Sequence, residues 1–120
     1  MRELPPIEWR PVLIGGAVAA ALSFLLSIGS QGTAPAVSVP VAVAGGIAAG
    51  SAVAGRLAKA RPAFHGGLVA VVWIAAEALS EPLRPAAGDV VVDLAATTVS
   101  DVLRLAIGVL AGWTGGRARR

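Results

Sequence analysis

Residues 37–79 read VSVPVAVAGGIAAGSAVAGRLAKARPAFHGGLVAVVWIAAEAL. Two apolar runs stand on either side of one short basic turn, Arg56-Leu-Ala-Lys-Ala-Arg-Pro62. The first run, about Val37 to Gly55, holds no charge, and the second, about Ala63 to Leu79, holds only Glu77. A bilayer core about 30 Å thick needs roughly 20 helical residues to cross it. Each run is close to that length, so the pair reads as two membrane helices joined by a turn of three cations.

Outward from this hairpin the pattern repeats. An uncharged run from about Val12 to Gly29 precedes it, and a longer one, about Val90 to Trp113, follows it with Asp93, Asp101 and Arg104 inside. The spacers Gly29-Ser-Gln-Gly-Thr-Ala-Pro35 and Ser80-Glu-Pro-Leu-Arg-Pro-Ala-Ala-Gly88 carry the glycine and proline that make poor helix interiors. Ser38 as N-cap places Pro40 in the first turn of the second helix, where proline is tolerated. The expected architecture is all-α: one membrane domain over residues 1–120, with four antiparallel helices at about 12–29, 37–55, 63–79 and 90–115.

Composition agrees. Hydrophobic residues are 56% of the 120, only 14% are charged, and the mean hydropathy is +0.77. A soluble domain carries roughly 25% charged residues to cover its surface. The basic pI, about 11.1, could suggest nucleic acid. With no Tyr, two Phe and the cations gathered in short clusters, no base-stacking surface is expected and nucleic acid is not an expected partner. Cysteine is absent and His65 is the single histidine, which removes thiolate chemistry and leaves no metal or cofactor site to expect.

Charge placement predicts the threading. Arg2 and Arg10 precede the first helix, Arg56, Lys59 and Arg61 lie between the second and third, and Arg117, Arg119 and Arg120 follow the fourth. Four spans put all three groups on one side, which the positive-inside rule makes cytoplasmic. Glu77, Glu81, Asp89, Asp93 and Asp101 then fall toward the outer face. The expected location is the cell membrane, multi-pass, with both termini in the cytoplasm. Trp9 and Trp113 suit the cytoplasmic aromatic belt, and Trp73, in mid-helix, suits packing or lipid contact. A basic start, the run from Val12 and Ala34-Pro-Ala36 imitate a secretory signal, but Glu3, Glu8 and the length of the run weigh against one.

Two sets of residues are candidates for more than threading. Gly46 and Gly50, extended by Ala42 and Ala54, and Gly108, Gly112 and Gly116 repeat at intervals of four. Small residues so spaced make a flat face against which a second helix packs closely in lipid, either within the chain or in a homo-oligomer. On the fourth helix Asp93, Thr97, Ser100, Asp101, Arg104 and Gly108 fall within about 100° of one another, opposite Val99, Val102, Leu105 and Val109. Gly88 to Gly115 as one helix would be about 42 Å long, so a span of about Thr97–Gly115 is expected, with the first turns outside. Asp101 and Arg104 are i, i+3 neighbours, and Glu77 lies at a similar depth, so a Glu77–Asp101–Arg104 cluster is expected in the outer third. His65 is expected at the interface with no role. No Ser-His-Asp set, catalytic carboxylate pair or phosphate loop is present, so no enzyme is expected.

Three segments also resemble small glycine-rich four-helix membrane protein families of prokaryotes, whose function is unknown. They are Pro40…Gly45-Gly46…Ala49-Gly50…Gly55-Arg56-Leu57, then Arg61…His65-Gly66-Gly67-Leu68-Val69, and Gly108…Ala111-Gly112…Gly115-Gly116-Arg117. The resemblance implies a membrane location and carries over no catalytic residue. The expected role is structural, interacting or accessory, with the bilayer and a membrane protein as partners; the alternative is a small oligomeric channel or transporter using the polar seam.

Overall fold

The computed structural model describes residues 3, 6–29, 35–83 and 94–119, the side chains of 35–39 excepted. The described residues form four α-helices, α1 (Trp9–Gly29), α2 (Pro35–Leu57), α3 (Pro62–Ser80) and α4 (Leu94–Arg117), with a 3-10 turn at Glu81–Leu83 after α3. No strand occurs among the described residues. All four helices are long and apolar enough to cross a membrane.

The helix ends differ from the expected ones for two physical reasons. Three helices begin on or beside a proline, whose fixed φ suits a first turn and whose missing N–H would have no partner there. Thus α1 starts at Trp9 and carries Pro11 in its first turn, α3 starts at Pro62, and α2 starts at Pro35. The early start of α2 overturns the expected N-cap at Ser38: the helix runs through that position, and Pro40 lies inside it as the sixth residue. The second reason concerns glycine. Gly55 and Gly115 are not terminators, and α2 and α4 continue past them to Leu57 and Arg117. Both glycines are interior contacts between helices, and that packing outweighs their low helix propensity of about 1 kcal/mol each. The expected residues 90–93 of the fourth helix lie outside the described residues.

Helix α2 holds the bundle together with two stripes of small residues. Gly46, Gly50 and Ala54 form one and face α1; a Cβ on Gly50 would fall 2.7 Å from Ala19 Cβ and still closer to the Gly15 carbonyl oxygen. One on Gly46 would meet Ala19 O at 2.6 Å and the Ser23 hydroxyl. Gly15 in turn sits against Gly50 O and Ala54. About 100° round the helix, Ser51 and Gly55 form the second stripe. Gly55 lies against the Gly112 backbone of α4, and the Ser51 hydroxyl donates to the Gly66 carbonyl of α3 over 3.0 Å.

Helices α3 and α4 meet in the same way. Gly66 faces Gly108 O and Gly112 Cα, and Gly112 faces Pro62 O at 2.6 Å from a notional Cβ. Gly116 stacks on the Pro62 ring, and Gly115 on the Ala52 carbonyl. The interior is therefore backbone against backbone. The buried set is small, with Val12, Ala19, Ile47, Ala54, Val69 and Ala70 among its apolar members. Large apolar side chains point outward instead: Leu13 is 69% exposed, Phe24 66%, Leu25 63% and Leu110 61%. Water would penalise that exterior at about 25 cal/mol for each Å² of apolar surface, whereas hydrocarbon would not.

Candidate functional site

Polar side chains gather at two places, one at each end of α3. Near its C-terminal end Glu77 uses both carboxylate oxygens. Oε2 accepts from Arg104 Nη1 on α4, and Oε1 accepts from the Trp73 indole N–H one turn earlier, over 3.0 Å. Asp101 Oδ1 lies 3.9 Å from the same guanidinium nitrogen, an i, i+3 pair on α4. The structure thus brings Glu77, Asp101 and Arg104 together. Their side chains are 21–36% exposed, so the group lies on the flank of the bundle and is not sealed within it. Asp89 and Asp93 lie outside the described residues.

The seam itself follows from the 3.6-residue period. Arg104 and Gly108 lie on the α3-facing side of α4, while Val99 and Val102 on the other side are 60% exposed. Beside the ion pair, a cleft of about 110 Å³ is lined by Ile74, Glu77, Ala78, Glu81, Thr97 and Asp101. Among the described residues three acidic side chains, Glu77, Glu81 and Asp101, line it, with Arg104 paired to Glu77 beside it. The arrangement is a charge pair with acidic surplus, suited to holding two helices in register or attracting a cation. Among the described residues no group of three His, Cys, Asp or Glu is placed to hold a metal.

Trp73 packs against the cluster of Val12, Ala19, Ala54 and Val69, in line with the expected packing role, and its indole N–H on Glu77 adds a polar contact to it. The i, i+4 spacing of the two residues on one helix was the available signal.

The N-terminal end of α3 carries a second network that the sequence does not announce. His65, expected at the interface without a role, is 3% exposed. Its Nε2 accepts the Glu8 main-chain N–H over 3.1 Å, and its Nδ1 lies 3.1 Å from Arg61 O. A main-chain N–H can only donate, so Nε2 is the acceptor and Nδ1 carries the proton that goes to Arg61. Arg61 adopts a left-handed φ of 49°, the one such non-glycine residue among those described. This turns its carbonyl toward α3, where Phe64 and His65 N–H groups also reach it. Glu8 Oε1 accepts from Lys59 N and Ala60 N, and Arg119 Nη1 donates to Ala58 O over 3.1 Å. The segment before α1 and the end of α4 are both fastened to the turn between α2 and α3. Alongside, the Arg117 guanidinium lies 3.8 Å above the Trp113 ring.

No family model matches the chain, and neither does any curated protein or solved structure.

Proposed function

We propose that the chain is a small multi-pass membrane protein whose four helices run antiparallel, with both ends on the cytoplasmic side, and whose role is structural or accessory: it offers a compact surface to the bilayer and to another membrane protein. The order of the α1–α2 contacts supports the antiparallel arrangement, because Gly15 meets Gly50 and Ala54 while Ser23, further along, meets Gly46. The threading is supported by the fastening of Glu8 and Arg119 to the Ala58–Ala60 turn, which gathers Arg10, Lys59, Arg61 and Arg119 at one end.

One observation carries the functional reading: Gly15, Gly50, Gly55, Gly66 and Gly112 put helix backbones in direct contact through the middle of the bundle. Among the described residues these contacts close the middle of the bundle to a water-filled path, so the working parts of the molecule are its surfaces. A second reading, a small oligomeric channel or transporter lined by Glu77, Asp101 and Arg104, is favoured by the acidic cleft beside them.

Flux through reconstituted liposomes separates the two. The structural role expects no flux of any common ion with the wild-type chain. Flux that vanishes in Arg104→Ala and Asp101→Asn would overturn it in favour of transport.

A further inference from the structure

At the end where the cations gather, a cavity of about 480 Å³ opens between the start of α1 and the end of α2. Its walls are of two kinds. Pro11, Ile14 and Leu57 are apolar, Trp9 contributes an indole, and Arg10 and Lys59 are cationic. Among the described residues neither the Arg10 guanidinium nor the Lys59 ammonium is paired with a carboxylate. Glu8 is the one acidic residue on the wall, and its Oε1 is taken by the Lys59 and Ala60 N–H groups. Trp9 is shared with a second hollow, a groove of about 310 Å³ between α1 and α3 whose lining, including Gly16, Ala20 and Val72, is apolar.

We propose that this cavity is a binding site for one anionic phospholipid, with the phosphate between Arg10 and Lys59 and an acyl chain laid along the apolar surface beside Trp9. The inference rests on the membrane reading above, which puts this end of the bundle at headgroup depth. A ligand that satisfies both wall types must be an anion at one end and a hydrocarbon at the other. A soluble phosphate would use the cations and leave Pro11, Ile14 and Leu57 wet. A zwitterionic lipid would bring a cation toward Arg10 and Lys59. Basic pockets between helices on the cytoplasmic side are where anionic headgroups bind, because the low-dielectric wall strengthens each contact. The His65–Glu8 network supplies the rigidity, since it ties the segment carrying Arg10 to the turn carrying Lys59.

The test is native mass spectrometry of the full chain in detergent, titrated with phosphatidylglycerol or phosphatidylcholine. The wild type is expected to bind its first phosphatidylglycerol the tighter, by about fivefold for each cation engaged. Arg10→Gln/Lys59→Gln should bind the two lipids equally. Arg56→Gln/Arg117→Gln removes the same charge from outside the cavity and should keep the preference. The single variants, each losing about fivefold, serve if the double variant does not fold. Equal affinity in the wild type, or equal loss in both double variants, overturns the site. Displacement of the lipid by inorganic phosphate alone assigns the cavity to a free anion and overturns the lipid. A chain that stays monodisperse in buffer without detergent overturns the membrane reading and the site with it, whereas lipid indifference in a detergent-dependent chain overturns the site alone.

Discussion

The main-chain N–H of Glu8 is hydrogen-bonded to Nε2 of His65, a residue 57 positions later in the chain. The ring also donates to Arg61 O, so one buried imidazole joins the entry to α1 and the turn before α3. His65→Ala removes both bonds and leaves the Glu8 N–H without its partner, while Arg61 O keeps the Phe64 and His65 N–H groups. A loss of about 2–3 kcal/mol is expected in reversible thermal unfolding in detergent. Glu8→Ala should cost about 1–2 kcal/mol by freeing Lys59 N and Ala60 N, and Glu8→Gln, which keeps an acceptor oxygen, should cost less than half of that. If His65→Ala melts with the wild type, the network contributes nothing.

Glycine substitutions should separate by place rather than by type. A Cβ at Gly112 would stand 2.6 Å from Pro62 O and 2.7 Å from Gly66 Cα, both backbone atoms that cannot step aside. Gly112→Ala is therefore expected at the upper end of overpacking costs, about 3 kcal/mol. At Gly16, half-buried on the groove-facing side of α1, a Cβ would meet nothing within 4 Å. Gly16→Ala should stabilise by about 0.5–1 kcal/mol through reduced backbone entropy in the unfolded chain. Melting temperatures of the two variants in one detergent decide this, and a similar change in both would refute the contact geometry.

The Glu77–Arg104 pair can be weighed by a double-mutant cycle with Glu77→Gln and Arg104→Gln. Each single variant strips one partner from a part-buried pair, while the double variant leaves two neutral amides. A coupling of about 1 kcal/mol is expected, at the low side because both side chains retain solvent or headgroup access. Trp73→Phe should lower the coupling by releasing the other oxygen of Glu77. Strict additivity of the two substitutions would show that the contact has no energetic content.

Two buried serines of similar exposure should respond oppositely. Ser51 donates to Gly66 O, so Ser51→Ala is expected to destabilise by about 1 kcal/mol. The Ser23 hydroxyl is buried against Gly46 without a hydrogen-bond partner among the described residues. Ser23→Ala deletes an unsatisfied group and should be neutral or stabilising by up to about 1 kcal/mol. Equal destabilisation by both, measured as above, would contradict the assignment.

What the residues announced was the helix count and helices long and apolar enough to cross a membrane, because hydropathy is summed over twenty positions and tolerates local error. The stripes at Gly46/Gly50 and at Gly108/Gly112/Gly116 were readable for the same reason, since a spacing of four repeats along one face. Gly15, Gly55 and Gly66 were missed as packing residues although Gly15-Ala19-Ser23 has that same spacing. Glycine near a helix end reads equally as a stop, and only the partner helix tells the two apart. The pairing of Glu77 with Arg104 followed from depth along two helices. The bond from Glu8 to His65 had no periodic signal at all, because it depends on where the two helix ends come to rest after packing.

The two stripes of α2, about 100° apart, face helices made before and after it, so they do not become useful at the same time. The partners of Gly46 and Gly50 on α1 are already made when α2 leaves the ribosome, but Gly55 and Gly66 wait for Gly112, which follows them in the chain. A nascent chain that has not yet made α4 therefore carries an open glycine furrow on α2 and α3, a surface shaped for close backbone packing whose partner helix is still to come.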